Sequence, residues 1–237
     1  MKTRLQQKYS NISFNAEEHR YTVNNKIMIS VTQLLKKYTP PFDIDGSITA
    51  KHALKNGITP REQADLWKAI SEEACLKGTE THQICEDMLK GTYTYPKTIN
   101  VDYNALIRLL HPVCEEIKQD LLATEQIIYN ESLGIAGTID ILSIQDNKIL
   151  IGDWKTNGKD IIIDKSYGTL LPPLNHVPNN DYYKYALQLS LYRYLLELDG
   201  FVCKEQSLLH IRETEVKEIP VIYLKEEIEM ILKEMRK

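Results

Sequence analysis

Between residues 134 and 156 two apolar runs each carry an acidic residue that a buried strand would not otherwise hold, Asp140 in the first and Asp153 in the second. An aspartate among apolar neighbours is costly unless it has a partner. Lys155 stands two residues after Asp153, and side chains at i and i+2 of a strand share a face, so Asp153 and Lys155 point one way and Trp154 the other. The turn-like Gln145-Asp146-Asn147 separates the runs. Paired as a hairpin, they bring Asp140 to the same end of the sheet. Two carboxylates and an ammonium group would then meet where a metal and a phosphate can sit. Oxygen ligands with few nitrogens suit Mg²⁺ or Mn²⁺. Lys155 could orient or help deprotonate a water and stabilise charge at phosphorus. The plainer alternative is that each acid marks a solvated strand end and Lys155 forms a structural ion pair. Two acids and a lysine at one place weigh towards a site.

Other polar side chains recur at helical spacing. His82 and Glu86 are four residues apart, with Gly78 four before His82, so the three share one face. Gly78 marks a bend or a close approach. Alone this reads as a solvated helix face; beside a carboxylate pair it makes His82 a candidate metal ligand and Glu86 a weaker one. Gln188 and Tyr192 repeat the spacing, with Tyr185 one turn earlier. The alternative there is a tyrosine-rich packing face. Glu125 and Glu131 flank the strand before the hairpin, as supporting acceptors or as exposed acids. The chain holds no glycine loop ending in Lys-Ser/Thr, no Gly-x-Ser-x-Gly and no dinucleotide fingerprint.

The elements that must position these residues follow from pattern and punctuation. Residues 1–8 read as a frayed polar arm, and 9–31 as extended structure with turns at Asn15-Ala-Glu-Glu and Asn24-Asn25. A short helix runs over 31–38 until Thr39-Pro-Pro. Helices follow to residue 56, over 60–89 behind Thr59-Pro60, and over 102–122 with Pro112 as a kink or break. A strand near 124–129, the hairpin, a Gly/Pro-rich loop over 168–178, a helix over 181–198, strands over 201–211 and 216–223 and a last helix complete the chain. This order predicts an α/β fold, a mixed sheet flanked by helices with the hairpin in its middle. The division expected is an N-terminal β-hairpin and helical extension over 1–59 and a core over 60–237.

The chain has 237 residues, 43% hydrophobic and 26% charged, which allows one large domain. A net charge of −4 argues against coating nucleic acid by charge alone, while 29 Lys and Arg leave room for a local basic groove. The four cysteines show neither CxxC nor zinc spacing, which fits reduced, buried thiols in the cytoplasm. Neither a secretory leader nor a membrane span is expected.

Taken together, the motifs resemble the PD-(D/E)XK nuclease superfamily in its RecB-like exonuclease branch. The pattern there is Gly-x-x-x-His on a helix, Gly-x-x-Asp, Asp-x-Lys-Thr and Gln-x-x-x-Tyr. Here it reads Gly78…His82, Gly137-Thr-Ile-Asp140, Asp153-Trp-Lys-Thr156 and Gln188…Tyr192. Ser30-Val-Thr-Gln-Leu-Leu and Trp67-Lys are also similar to the layout of phage-type and mitochondrial genome maintenance exonucleases. Ile139 precedes Asp140, and Asp153 stands for the commoner Glu, both as in this branch. The resemblance implies a restriction-endonuclease-like fold and Mg²⁺- or Mn²⁺-dependent hydrolysis of DNA, from ends of single strands, in repair, recombination or replication. It implies that Asp140, Asp153, His82 and the Trp154 backbone carbonyl hold the metal, that Lys155 positions the water, and that Gln188 and Tyr192 orient Lys155 or the strand. An arch of the 168–178 loop and the N-terminal helices around a single strand is a further expectation. No iron–sulfur cluster is expected, and oligomers are open because ring-forming relatives exist. The competing readings are a structure-specific endonuclease of the same fold and a DNA-binding module with a silent site.

Overall fold

The computed structural model describes residues 1–42, 46–94 and 101–236, with the backbone alone at 101 and 102. In chain order the elements are α1 (Lys2–Lys8), β1 (Ile12–Asn15), β2 (Arg20–Val23), β3 (Lys26–Ser30), α2 (Val31–Lys36), α3 (Ser47–Asn56), α4 (Pro60–Lys90), α5 (Val101–Gln119), β4 (Leu121–Asn130), β5 (Ile135–Gln145), β6 (Lys148–Lys155), α6 (Asp181–Leu198), β7 (Cys203–Ile211), β8 (Val216–Pro220) and α7 (Lys225–Met235). The fold is α/β, an eight-stranded mixed sheet with helices on both faces.

Local chemistry sets the boundaries. Asn24-Asn25 and Asp146-Asn147 all take positive φ, the requirement of a two-residue type I′ hairpin turn. Ser30 with Gln33 and Thr59 with Glu62 form capping boxes at α2 and α4. Pro60 occupies the first turn of α4, and Gly91 ends it in the left-handed region. Asn180 caps α6 by accepting from the Tyr183 N–H. Pro112 lies inside α5 without dividing it.

The sheet runs β1-β2-β3-β5-β6-β7-β8, with β4 paired to β5 off that path. The β5–β6 hairpin is antiparallel and central, while β3 joins β5, and β7 joins β6, in parallel. One face carries the larger core, where α6 and α7 pack Leu189, Leu195, Ile228 and Ile231 on Ile139, Leu142, Ile149 and Ile151. The other face packs Cys85, Leu89, Leu110 and Cys114 of α4 and α5 on Ile141 and Trp154.

The N-terminal arm departs from expectation. Residues 2–8 are helical, with Leu5 fully buried, Arg4 donating to the Asp199 carbonyl and Lys8 paired with Asp199. A single buried leucine in seven residues carries no readable period, so the polar composition hid the docking. The 168–178 loop is also built in: Leu170, Leu174 and Val177 are buried, and the Leu171 N–H donates to the Tyr38 carbonyl. Among the described residues no helix is long and apolar enough to cross a membrane.

Candidate active site

The hairpin forks where the acids sit. β4 pairs one edge of β5 along its length, but the other edge is shared. β3 takes Ile135 and Ala136, and β6 takes Ile141 to Gln145. The β5–β6 ladder stops at Ile141↔Gly152, and one step further Asp140 and Asp153 would face each other. There the Trp154 N–H donates instead to the Asp140 carboxylate at 2.9 Å, so a side chain replaces a backbone acceptor. β6 continues alongside β7, which carries Asp153 to Lys155 past the fork.

Three elements deliver ligands to this gap. His82 of α4, Glu125 of β4 and Asp140 of β5 place ligand atoms within 4.8 Å of one another. His82 Nδ1 is 3.3 Å from Asp140 Oδ2, and the ring lies beside the Trp154 backbone. Glu125 adopts φ +47° inside its strand, a left-handed conformation that costs about 1–2 kcal/mol for a residue with a side chain. Such strain concentrates at functional positions.

Asp153 faces a second group. Its carboxylate forms an ion pair with Lys155, and its Oδ1 lies 3.5 Å from Gln188 Nε2. Gln188 also donates to the Tyr192 hydroxyl at 3.2 Å. The Lys155 ammonium sits 4.6 Å from the centre of the Tyr185 ring, a cation–π contact. Tyr185 is held by its hydroxyl donating to Asn157 Oδ1, and His210 hydrogen-bonds the Asn157 carbonyl.

The electrostatics are those of a crowded acidic pocket. Burial, then the charges of Asp153 and Glu125, raise the Asp140 carboxyl well above its usual range. Glu125 is pushed up to about 7 by burial and by Glu86 and Asp153. Burial holds the His82 pKa below its ordinary value although the Asp153 charge pulls the other way. Burial opposes the charge on Lys155, but Asp153 and Asp140 outweigh it and raise its pKa, so the ammonium is charged. Asp153 Oδ2 is buried, and its partner is the Lys155 ammonium. Two carboxylates and an imidazole within reach of one point, with a third carboxylate beside them, fit a hard or borderline divalent cation.

Two glycines explain the tightness. A Cβ on Gly137 would lie 2.6 Å from Tyr192 Cε1 and 3.1 Å from Val31 Cγ2, so the tyrosine ring rests on bare backbone three residues before Asp140. A Cβ on Gly78 would lie 3.2 Å from Thr156 Oγ1. Gly78 therefore marks a close approach in a continuous helix, which lets His82 reach the fork.

The sequence expectations place unevenly. Asp140, Asp153, Lys155, His82, Gln188 and Tyr192 gather at the fork, with the Trp154 backbone between Asp140 and His82. Glu125, expected as a supporting acceptor, joins His82 and Asp140 directly. Glu86 does not join the ligand group: it is paired with Lys90 and accepts from Gln83, and reaches the cluster only through its charge on Glu125. Glu131 is remote, bonded to Asn24. Asn157 and His210 carried no motif; only the β6–β7 register brings His210 opposite Lys155.

No family model and no curated protein matches the chain. Among solved structures the chain is similar to a candidate exonuclease from Eubacterium rectale, with a TM-score of 0.46 and 12% identity, over 67% of this chain and 65% of that one. It is also similar to SSO0001, with a TM-score of 0.38 and 17% identity, over 98% of this chain and 81% of that one. The chain thus spans just under two thirds of the Eubacterium rectale protein's length. At these scores neither likeness carries a functional argument, and the reading rests on the side chains.

Proposed function

We propose that this chain is a Mg²⁺- or Mn²⁺-dependent deoxyribonuclease of the RecB-like exonuclease type, hydrolysing phosphodiester bonds from the ends of single-stranded DNA during repair, recombination or replication. The observation that carries the reading is the fork, where Asp140, Glu125 and His82 converge beside Asp153 and a charged Lys155.

Asp140, Glu125 and His82 would hold the cation, with Asp153 turning to it from Lys155. A bound divalent ion would supply charge neutralisation at the phosphate and an activated water. Lys155 donates to a phosphate oxygen or to the attacking water, and its ammonium group needs no proton from solvent to do so. The Tyr185 ring and Asp153 hold it in place. Gln188 fixes Asp153 through Oδ1, and Tyr192 fixes Gln188. The imidazole in the ligand set favours Mn²⁺ over Mg²⁺ at equal concentration.

The test uses single- and double-stranded oligonucleotides labelled at either end, with Mn²⁺, Mg²⁺ or EDTA. Shortening of the single strand with Mn²⁺ or Mg²⁺, and none with EDTA, is the expected result. A covalently closed single-stranded circle should survive; its cleavage would move the reading to an endonuclease. Binding without cleavage under every metal condition would leave a DNA-binding module with a silent site.

A further inference from the structure

Beside the fork, between α2, α6 and the 168–178 loop, lies a trough of about 200 Å³. Its floor and sides include Leu35 and Leu170, its rim carries Lys36 and Lys184, and one wall is Tyr185 and Gln188. That wall is shared with the catalytic cluster: Gln188 reaches Asp153 and Tyr185 covers Lys155. The trough is therefore one side chain away from the reacting phosphate. Leu170 is nearly fully buried, so the floor is fixed. Lys184 pairs with Asp181 at 3.8 Å, a solvent-exposed ion pair worth little against a new anionic partner.

We propose that this trough seats one unpaired nucleotide next to the scissile phosphate, with the base against Leu35 and Leu170 and its phosphate between Lys36 and Lys184. The proposal rests on the nuclease reading and names the substrate form its site accepts. At about 200 Å³ the trough is smaller than the pockets that take drug-sized molecules, which begin at about 300 Å³, a size in keeping with one base. Charge complementarity supplies the sign. The trough offers two ammonium groups on a chain of net charge −4, whereas the large cavity on the opposite sheet face is rimmed by Glu116, Asp120, Glu205 and Glu218. A polyanion entering the fork is drawn to the α2–α6 side.

The experiment measures binding of fluorescein-labelled dT20 by fluorescence anisotropy in EDTA, and cleavage of the same oligonucleotide in Mn²⁺. The double variant Lys36→Glu/Lys184→Glu should weaken binding roughly 10-fold at moderate salt and lower the salt slope by about 0.7, the loss of one phosphate contact. Thr39→Trp, which fills the trough without changing charge, should also weaken binding, with thermal midpoints kept near that of the parent. Lys217→Glu, on β8, serves as the control and should bind as the parent does. Equal binding by the parent, the double variant and Thr39→Trp would overturn the proposal, as would a parent that binds duplex more tightly than dT20. The two readings separate cleanly. A parent that binds through the trough but never cleaves overturns the nuclease reading and leaves the trough standing; cleavage with unchanged binding in the variants does the reverse.

Discussion

The two faces of one sheet do opposite things with the same strands. On the α6 face, β6 presents Ile149 and Ile151 to the larger core and then Asp153 and Lys155 to the site. On the α5 face, β5, β6 and β7 present Ser143, Gly152 and Ser207 to a cavity of about 460 Å³ edged by acids. The first face is closed over by α6 except at the fork and the trough. The second is left half open, and its charge repels a nucleic acid. Strand alternation places both sets two residues apart, so the chemistry of each face is chosen independently. The two openings thus differ in charge: Glu116, Asp120, Glu205 and Glu218 edge the cavity on the α5 face, whereas Lys36 and Lys184 edge the trough beside the fork.

The comparison breaks most sharply on catalysis. Lys155→Ala or Asp153→Asn should lower cleavage by about 10²–10³-fold or more, read from initial rates in Mn²⁺. Glu218→Gln on the opposite face should leave the rate within about twofold, as surface substitutions generally do. A comparable loss in Glu218→Gln would erase the distinction between the faces.

Stability offers the next contrast. Gly137→Ala drives a methyl into the Tyr192 ring and should cost about 1–3 kcal/mol in urea denaturation. A cost near zero would show that Tyr192 is not pinned on β5.

The acidic pocket predicts a pH dependence in metal-free protein. The folded-state pKa of Glu125 lies near 7 against an ordinary 4.5, so the folded state holds this proton more tightly than the unfolded chain. Its contribution is fully present below about pH 4.5 and is lost as pH rises through 7, an amount on the order of 3 kcal/mol at most. Asp140 shifts in the same direction. Thermal midpoints in EDTA should therefore fall over this window, Glu125→Gln should flatten the fall, and Mn²⁺ should raise the midpoint more at pH 7.5 than at pH 5.5. An unchanged slope in Glu125→Gln would remove Glu125 from the cluster.

The smallest effect belongs to Gly78→Ala. Alanine gains up to about 1 kcal/mol of helix propensity, and the new methyl meets Thr156 Oγ1 at 3.2 Å, a side-chain oxygen that can turn away. The net should stay within about 0.5 kcal/mol of zero, checked against Gly137→Ala in the same titration. Two motif glycines would then differ because one faces a locked ring and the other a rotatable hydroxyl.

Much of the architecture was legible. The hairpin, the long helix before it and the helix of Gln188 and Tyr192 announced themselves through period, caps and turn residues, which act within a few positions. What distance in sequence hides was not legible. Glu125 joins the cluster of His82 and Asp140 because the β4–β5 register sets it across from Asp140, and no local pattern gives a register. His82 and Glu86 looked alike on their helix, yet Lys90 claims Glu86 while His82 reaches the fork. The docking of α1 buries only Leu5 and otherwise uses Arg4 and Lys8 on the distant Asp199, and the trough brings together two lysines that lie far apart in the chain.

The hydrogen bond from Trp154 to Asp140 ties assembly to activity. The groups at the fork come from α4, β4, β5, β6 and α6, and the carboxylate that completes the ligand cluster is also the clasp that finishes the sheet. On the nuclease reading proposed above, a chain still emerging, or one half-melted, would have no cutting centre to misuse on the DNA around it. Competence would arrive only with the closed fold, which would make phosphodiester cleavage a reporter of complete folding and give the enzyme its own safety catch.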